Sequence, residues 1–134
     1  MPIHRALLHA GLAVAAAAAL AAGSAAAHDG RATPCFYLSQ WQGWTSPSPS
    51  VLYLGVNSHD VYRVGLSGES YNLRSPGMHL VSINRGPSSI CSAIDLDLRL
   101  ADTGGFVEPL IATTLTKLTP EEVAAIPPKF MPGH

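Results

Sequence analysis

The sequence predicts a mainly β domain, a small antiparallel barrel or curved sheet of five to six strands with a short C-terminal helix. Short runs rich in β-branched and aromatic residues recur along the chain, and turns rich in Gly, Pro, Ser and Asn separate them. No segment between these runs has the apolar spacing of a helix, which argues against alternating βα units. Two cysteines in a small domain add a predicted disulfide.

The first 27 residues have the three parts of a secretory signal peptide. Arg5 supplies a positive start, the run 6–22 is almost wholly apolar, and three alanines form the small-residue exit at 25–27. We expect cleavage between Ala27 and His28, and therefore a periplasmic or secreted protein. The alternative is a membrane anchor, but the run is mostly alanine and too short to hold a bilayer comfortably. No membrane span is expected after processing.

The exported part, 28–134, is long enough for one domain and too short for two. The whole chain carries eight Lys or Arg and nine Asp or Glu, so removal of Arg5 leaves a formal charge of −2. Basic residues form no cluster of the kind that binds nucleic acid, and no nucleic-acid partner is expected. We predict one disulfide-bonded β domain whose ordered core covers about 35–127.

Cys35 and Cys91 are the two cysteines of the chain. In an exported domain such a pair usually forms a bridge, whereas redox pairs usually lie close together, as in Cys-x-x-Cys. Because these two are 56 positions apart, we predict a structural disulfide. On the chain-entropy model, closing this loop stabilises the fold by about 4 kcal/mol.

A short apolar run, 35–38, opens the domain, and Trp41 and Trp44 follow closely. The next segment, 46–50, alternates Ser and Pro. Because proline interrupts both helices and strand interiors, we predict a loop there.

Five strands are predicted from runs of β-forming residues between turns, at 51–56, 60–66, 79–84, 90–100 and 106–116. The first two flank the turn 57–59 and predict a hairpin. In the fourth, leucines alternate with charged residues, so that Leu96, Leu98 and Leu100 share one face. Pro109 forces a bend or an edge position in the fifth strand.

One helix is predicted at the end of the chain, at 120–126. Thr119 is its N-cap, and Glu122, three residues later, completes a capping box. Pro127 ends the helix. A helix of two turns is unstable alone, so it must dock on the sheet through Val123 and Ile126.

A set of short motifs resembles a family of small exported bacterial proteins of unknown function. The resemblance covers about Cys35 to Pro132 and brings no activity to transfer. It implies that many members carry a second cysteine pair, one in the loop after the hairpin and one near the start of the last strand. The corresponding segments here, 68–71 and 107–110, contain no cysteine. The motifs are Cys35-Phe36, Gly43-Trp44, Leu52-Tyr53-Leu54, Val61-Tyr62-Arg63, Ile90-Cys91, Asp95-Leu96 and Leu118-Thr119-Pro120-Glu121-Glu122-Val123-Ala124-Ala125.

Histidines support a metal hypothesis. If cleavage falls after Ala27, His28 becomes the N-terminal residue, whose amine and imidazole can chelate copper. His59 or His79 would then complete the site. The alternative is that His28 belongs to a loose lead-in, and our prediction is that the protein needs no cofactor.

Aromatic side chains crowd one short segment that contains Phe36, Tyr37, Trp41 and Trp44. Such a cluster is typical of the floor of a cleft that binds a sugar or another flat ligand. The alternative is that they fill the small core, as such aromatics more often do.

Asp95 and Asp97 are two positions apart on a predicted strand, so their carboxylates share a face. Such a pair can bind a hard cation or act in acid–base chemistry. The alternative is a solvated strand face balanced by Arg99. No Gly-x-Ser-x-Gly element is present, so nucleophilic catalysis has no support.

These patterns predict a non-enzymatic domain of the bacterial envelope that binds a small ligand or a periplasmic protein. The alternatives are a copper-binding protein that uses His28 and, less favoured, a hydrolase built on Asp95 and Asp97. A deep cleft lined by the tryptophans would favour a small ligand, and a flat surface would favour a protein partner.

Overall fold

The computed structural model describes residues 34–83, 85–86 and 88–133. Within these ranges the predicted mainly β fold is confirmed, with antiparallel strands and a short C-terminal helix. The predicted signal peptide, its cleavage after Ala27 and the metal ligand His28 lie outside the described residues.

Six strands form one nearly closed antiparallel sheet, and two short strands form a second sheet. The order in the large sheet is β2-β3-β4-β8-β7-β5, and β1 pairs with β6. Both sheets are antiparallel throughout. The bounds are β1 (Phe36–Tyr37), β2 (Trp41–Ser48), β3 (Val51–Val56), β4 (Asp60–Leu66), β5 (His79–Ser82), β6 (Ser89–Ile90), β7 (Asp97–Ala101) and β8 (Val107–Lys117).

The predicted hairpin is confirmed as β3 and β4, which pair along their whole length. Two other sequence-based boundaries are wrong. The Ser-Pro segment 46–50 is not wholly a loop, because β2 continues to Ser48. Pro47 is tolerated there because β2 is an edge strand and its register shifts between Thr45 and Ser48.

The predicted strand 90–100 is also divided in the structure. It contains β6, then a 3₁₀ turn at Ala93–Asp95, and then β7. The predicted leucine face is nevertheless confirmed, since Leu96, Leu98 and Leu100 are all buried. Leucines therefore alternate with charged residues along β7 as predicted, although this strand is shorter than expected.

The inward side chains of the large sheet form one apolar core. The strand register explains which side chains form this core. Leu54 of β3 lies opposite Tyr62 of β4, and Leu98 of β7 lies opposite Leu110 of β8. Facing pairs thus place large apolar groups on the same side of the sheet. The fully buried members include Leu52, Leu54, Val56, Val64, Leu98 and Leu100.

The predicted Cys35–Cys91 disulfide is present. Since Phe36 lies opposite Ile90, the two cysteines face each other at the end of the β1–β6 pair. Phe36 is buried and its ring lies 4.7 Å from that of Tyr62, centroid to centroid. The Tyr62 hydroxyl donates to the Pro34 carbonyl at 2.9 Å, and burial raises the pKa of this phenol. The disulfide therefore holds an aromatic side chain in the core.

The predicted C-terminal helix is present as α1, Pro120–Ala124, and ends two residues earlier than expected. Its capping box is confirmed. The Glu122 N–H donates to Thr119 Oγ1 at 3.2 Å, and the Thr119 N–H donates to Glu122 Oε2 at 2.8 Å. Ile126 is buried, whereas Val123 is only half-buried.

The chain then crosses the outer side of β2 and β3 as a C-terminal segment, residues 126–133. A Cβ atom on Gly55 would lie 3.4 Å from Pro132, and one on Gly43 would collide with the Gly133 carbonyl. The Thr45 hydroxyl donates to the Phe130 carbonyl. Glycine at position 43 is thus needed because the terminal backbone passes directly over it. The outer side of β2 and β3 is covered at these positions.

Candidate binding surface

Outward side chains of β5, β7 and β8 form a regular array of three rows. The backbone pairing aligns one residue from each strand in every row, and alternate residues along each strand share this side. The residue after β5, Ile83, extends the array because its N–H donates to the Asp97 carbonyl at 2.8 Å. We call this array the β5–β7–β8 face. Its rows are His79, Ala101 and Val107; Val81, Arg99 and Pro109; and Ile83, Asp97 and Ile111.

The face is apolar at its margins. Val81, Ile83, Val107 and Ile111 are between 39% and 67% exposed. Two of them, Val81 and Ile111, each follow a leucine that packs with the core, Leu80 and Leu110. Isolated exposed aliphatics are common on proteins, but a contiguous set of them marks an interaction surface.

An ion pair lies at the centre of the face. Arg99 Nη2 is 3.1 Å from Asp97 Oδ1, and both side chains are about one-third exposed. Arg85 Nε lies 3.9 Å from the other Asp97 oxygen. Arg99 thus pairs with Asp97, as the alternative interpretation expected, but Asp95 does not lie on this strand face. A half-buried charge pair inside an apolar rim can contribute specificity to docking.

An open depression of about 260 Å³ adjoins the lower row of the face. Ile83, Ile94 and Arg85 line it together with Asp95 and Asp97. Ile94 is 91% exposed, so it extends the apolar margin beyond the strands. The depression has room for one side chain of a partner.

Asp95 and Asp97 both line this depression, but they do not share a strand. Asp95 ends the 3₁₀ turn, and its Oδ2 accepts from the Cys91 N–H at 2.9 Å and from the Ser92 N–H at 2.8 Å. The Ser92 hydroxyl donates to the same oxygen at 3.0 Å. These donors lower the pKa of the Asp95 carboxyl, the backbone N–H of Cys91 having the largest effect. A lowered pKa is opposite to what a general acid at neutral pH requires.

We predict that the Asp95 carboxyl titrates below its ordinary value of 3.8. Its contribution to stability is then present above that value and is lost as the pH falls through the lowered pKa. A carboxyl-detected NMR titration measures it. Ser92→Ala removes one donor and should move the pKa back upwards. An Asp95 pKa at or above its ordinary value in the unaltered protein would contradict this assignment.

Side-chain hydrogen bonds link the loop after β4 to the start of β8. Glu108 Oε2 accepts from the buried Ser70 hydroxyl and from the Asn72 amide, both at 3.0 Å. A depression of about 110 Å³ lies between the same two segments. The segments where the resemblance implies a second cysteine pair in relatives therefore lie side by side in this chain.

Glu108→Ala is expected to lower the free energy of unfolding by about 1–3 kcal/mol, because the buried Ser70 hydroxyl loses its acceptor. Urea unfolding measures the difference. Glu69→Ala is the matched control, since Glu69 accepts from the exposed Tyr71 hydroxyl and from no other described residue. It should change stability by less than about 0.5 kcal/mol. Equal losses in both variants would contradict the role of burial.

Two of the aromatic residues pack against the core, and a third is exposed. Trp41 and Trp44 pack against the core, opposite Val56 and Leu54 of β3. The Trp41 Nε1–H donates to the Gly43 carbonyl at 2.8 Å. Tyr37 instead is more than half exposed. The structure thus places both indole rings with the core side chains.

The two described candidate metal ligands lie at opposite ends of the sheet. His79 begins β5 and aligns with Val107 at the start of β8. His59 is in the turn before Asp60, whose carboxylate is 2.7 Å from Lys117 Nζ at the end of β8. The length of β8 separates them, roughly 30 Å at about 3.3 Å per residue. Among the described residues, no three His, Cys, Asp or Glu side chains are grouped to hold a metal ion.

The strand predictions missed a signal for the β5–β7–β8 face that is present in the sequence of β8. Leu110 and Leu115 of this strand are buried, yet Val107 and Ile111 point outward and are exposed. Apolar residues at both parities of a strand indicate that both faces contact something. One of those faces is the core, and the other has no covering element among the described residues.

Comparison with protein-family models, curated proteins and solved structures finds no match to this chain. Within the described ranges, no helix has the length and apolar character to cross a membrane.

Proposed function

We propose that this protein is a non-enzymatic binding domain of the bacterial envelope and that it docks a protein partner on the β5–β7–β8 face. The observation that carries the proposal is the set of exposed aliphatic side chains on β5 and β8 that flank the Asp97–Arg99 pair of β7. Interfaces characteristically combine an apolar patch with a few charged groups, among which arginine is enriched.

The cover over β2 and β3 supports this assignment. Outside β2 and β3, the C-terminal segment buries Gly55 and Pro132. Outside β5, β7 and β8, the described residues provide no equivalent cover. The C-terminal segment thus covers part of the outer side of β2 and β3, whereas among the described residues nothing covers the β5–β7–β8 face.

A protein partner fits this surface better than a small ligand does. Ligand pockets usually enclose about 300–1,000 Å³ and surround most of the ligand. The depressions beside β5 and beside β8 are smaller and open, at about 260 and 110 Å³. The tryptophans expected to floor a cleft pack against the core instead.

Site-specific photo-crosslinking in intact cells tests the proposal. A photoreactive residue at Ile111, or at Val107, should give one adduct of the same mass, which mass spectrometry then identifies. Thr116 is the matched control, because it is an exposed residue of the same strand outside the face. Arg99→Glu should abolish the adduct by reversing the central charge. Adducts of equal yield at all three positions, or none at Ile111 and Val107, would overturn the proposal.

A further inference from the structure

The large sheet has two edge strands, β2 and β5, and they are protected to different degrees. β2 contains Pro47 and two register shifts, and Thr45 hydrogen-bonds to the C-terminal segment. β5 has the sequence His-Leu-Val-Ser, without proline, Asp, Glu, Lys or Arg, and pairs with β7 without a register shift. Prolines, charges and bulges are the devices that keep sheet edges from pairing with other strands. β5 has none of these three devices, and its protection as an edge is limited to its length of four residues.

The backbone groups at the free edge of β5 follow from its pairing with β7. The Ile83 N–H donates to the Asp97 carbonyl, so Ile83 is in a hydrogen-bonded pair. In an antiparallel ladder such pairs alternate, so the backbone groups of His79 and Val81 also point to β7. Those of Leu80 and Ser82 point to the free edge. None of the described residues forms a ladder with that edge.

We propose that two copies of this chain pair antiparallel through their β5 edges, around a two-fold axis at Val81. The extended segment 79–83 has its midpoint there. Leu80 of one copy then lies opposite Ser82 of the other, and both carry free backbone groups. Val81 lies opposite itself, and His79 opposite Ile83. No pair places two charged side chains together, and outward residues meet outward residues, so the segment is self-complementary.

The pairing joins the two β5–β7–β8 faces into one continuous outer surface. This pairing is independent of the proposed protein partner, because it uses the edge of β5 and leaves the β5–β7–β8 face open. A contact made through one short strand buries less than the roughly 1,200 Å² of a stable complex. The dimer is therefore expected to be weak and dependent on concentration.

Disulfide trapping with the exported domain tests the register. In Val81→Cys the two new thiols lie opposite each other at a non-hydrogen-bonded pair, where Cα atoms are about 4.5 Å apart, within disulfide range. Under mild oxidation the covalent dimer should form at least about tenfold faster than in Val107→Cys, because pairing raises the effective concentration. Val107 is more exposed than Val81 and lies on the same face, which makes it the matched control. Equal rates would overturn the proposal.

Ser82→Pro tests the backbone hydrogen bonds. It removes an N–H that points to the free edge and leaves the ladder with β7 intact, the arrangement in which an edge strand tolerates proline. Combined with Val81→Cys, it should lower the trapping rate to that of Val107→Cys while circular dichroism and Tm show a folded domain. A folded variant that is trapped at an unchanged rate would overturn the pairing.

Charged substitutions at Val81 test whether this residue lies opposite the same residue of the second copy, and they introduce no proline. Val81→Lys and Val81→Glu should each remain monomeric in sedimentation velocity, because each places two like charges together. An equimolar mixture should form a heterodimer. The same mixture made from Val107→Lys and Val107→Glu should not. Failure of the Val81 mixture to associate would overturn the inference, whereas photo-crosslinking at Ile111 to a different protein would still support the proposed function.

Discussion

Cys91→Ser is expected to lower the free energy of unfolding by about 4 kcal/mol, which is the loop-closure term for a chain closed over 56 residues. In a domain of this size that corresponds to a fall in Tm of roughly 20 °C. Calorimetry of the oxidised protein and the variant gives both quantities. The structure explains why the loss is large, since β1 has only two residues and the bridge closes the end of its pairing with β6.

A second measurement separates the bridge from the residue change. The unaltered protein after reduction and alkylation should lose a similar amount of stability, and Cys35→Ala with Cys91→Ala together should lose no more than either alone. Near-ultraviolet circular dichroism should show the Phe36 and Tyr62 rings leaving their fixed environment. A loss of less than about 1 kcal/mol would show that β1 is held without the disulfide.

Ile126→Asp is expected to lower the free energy of unfolding by at least about 3 kcal/mol, because it removes a buried aliphatic side chain and places a carboxylate where apolar contacts now lie. Ile126 is 6% exposed at the start of the C-terminal segment. Ile94→Asp makes the same chemical change at a 91% exposed position and should shift stability by less than about 0.5 kcal/mol. Urea unfolding of both variants gives the comparison.

Release of the segment should also be visible directly. Lys129 lies within it, so trypsin should cut there much faster in Ile126→Asp than in Ile94→Asp. Gly43→Ala reaches the same segment from the sheet side, because its Cβ would collide with the Gly133 carbonyl. If neither variant speeds cleavage at Lys129, the segment does not depend on these contacts.

Local signals in the sequence were enough for several elements. The capping box at Thr119 and Glu122, the hairpin turn and the leucine alternation of β7 each depend on neighbours within a few residues, and each is present. The disulfide followed from there being only two cysteines. Such features can be predicted because their energetics are local or because no other pairing exists.

Two of the errors have causes that are distant in sequence, whereas the break between β6 and β7 is a local signal, a Ser92–Asp95 capping box, that the strand pattern concealed. β2 can include Pro47 only because it is an edge strand, and strand order is a property of the whole sheet. The break between β6 and β7 occurs where Asp95 accepts three hydrogen bonds and turns the chain. The β5–β7–β8 face emerges only when three strands are placed in register. Single-strand alternation cannot reveal it.

The C-terminal segment has a consequence for how the chain acquires its structure during synthesis. The ribosome makes β2 and β3 long before residues 126–133, so the outer side of these two strands at Gly43 and Gly55 stays exposed to water until the last residues are made. Cys35 and Cys91 become available to each other earlier than the segment that finishes the fold. Shortened chains that end at α1 would therefore hold both cysteines yet leave the backbone at Gly43 and Gly55 open to proteases and to other unfinished chains.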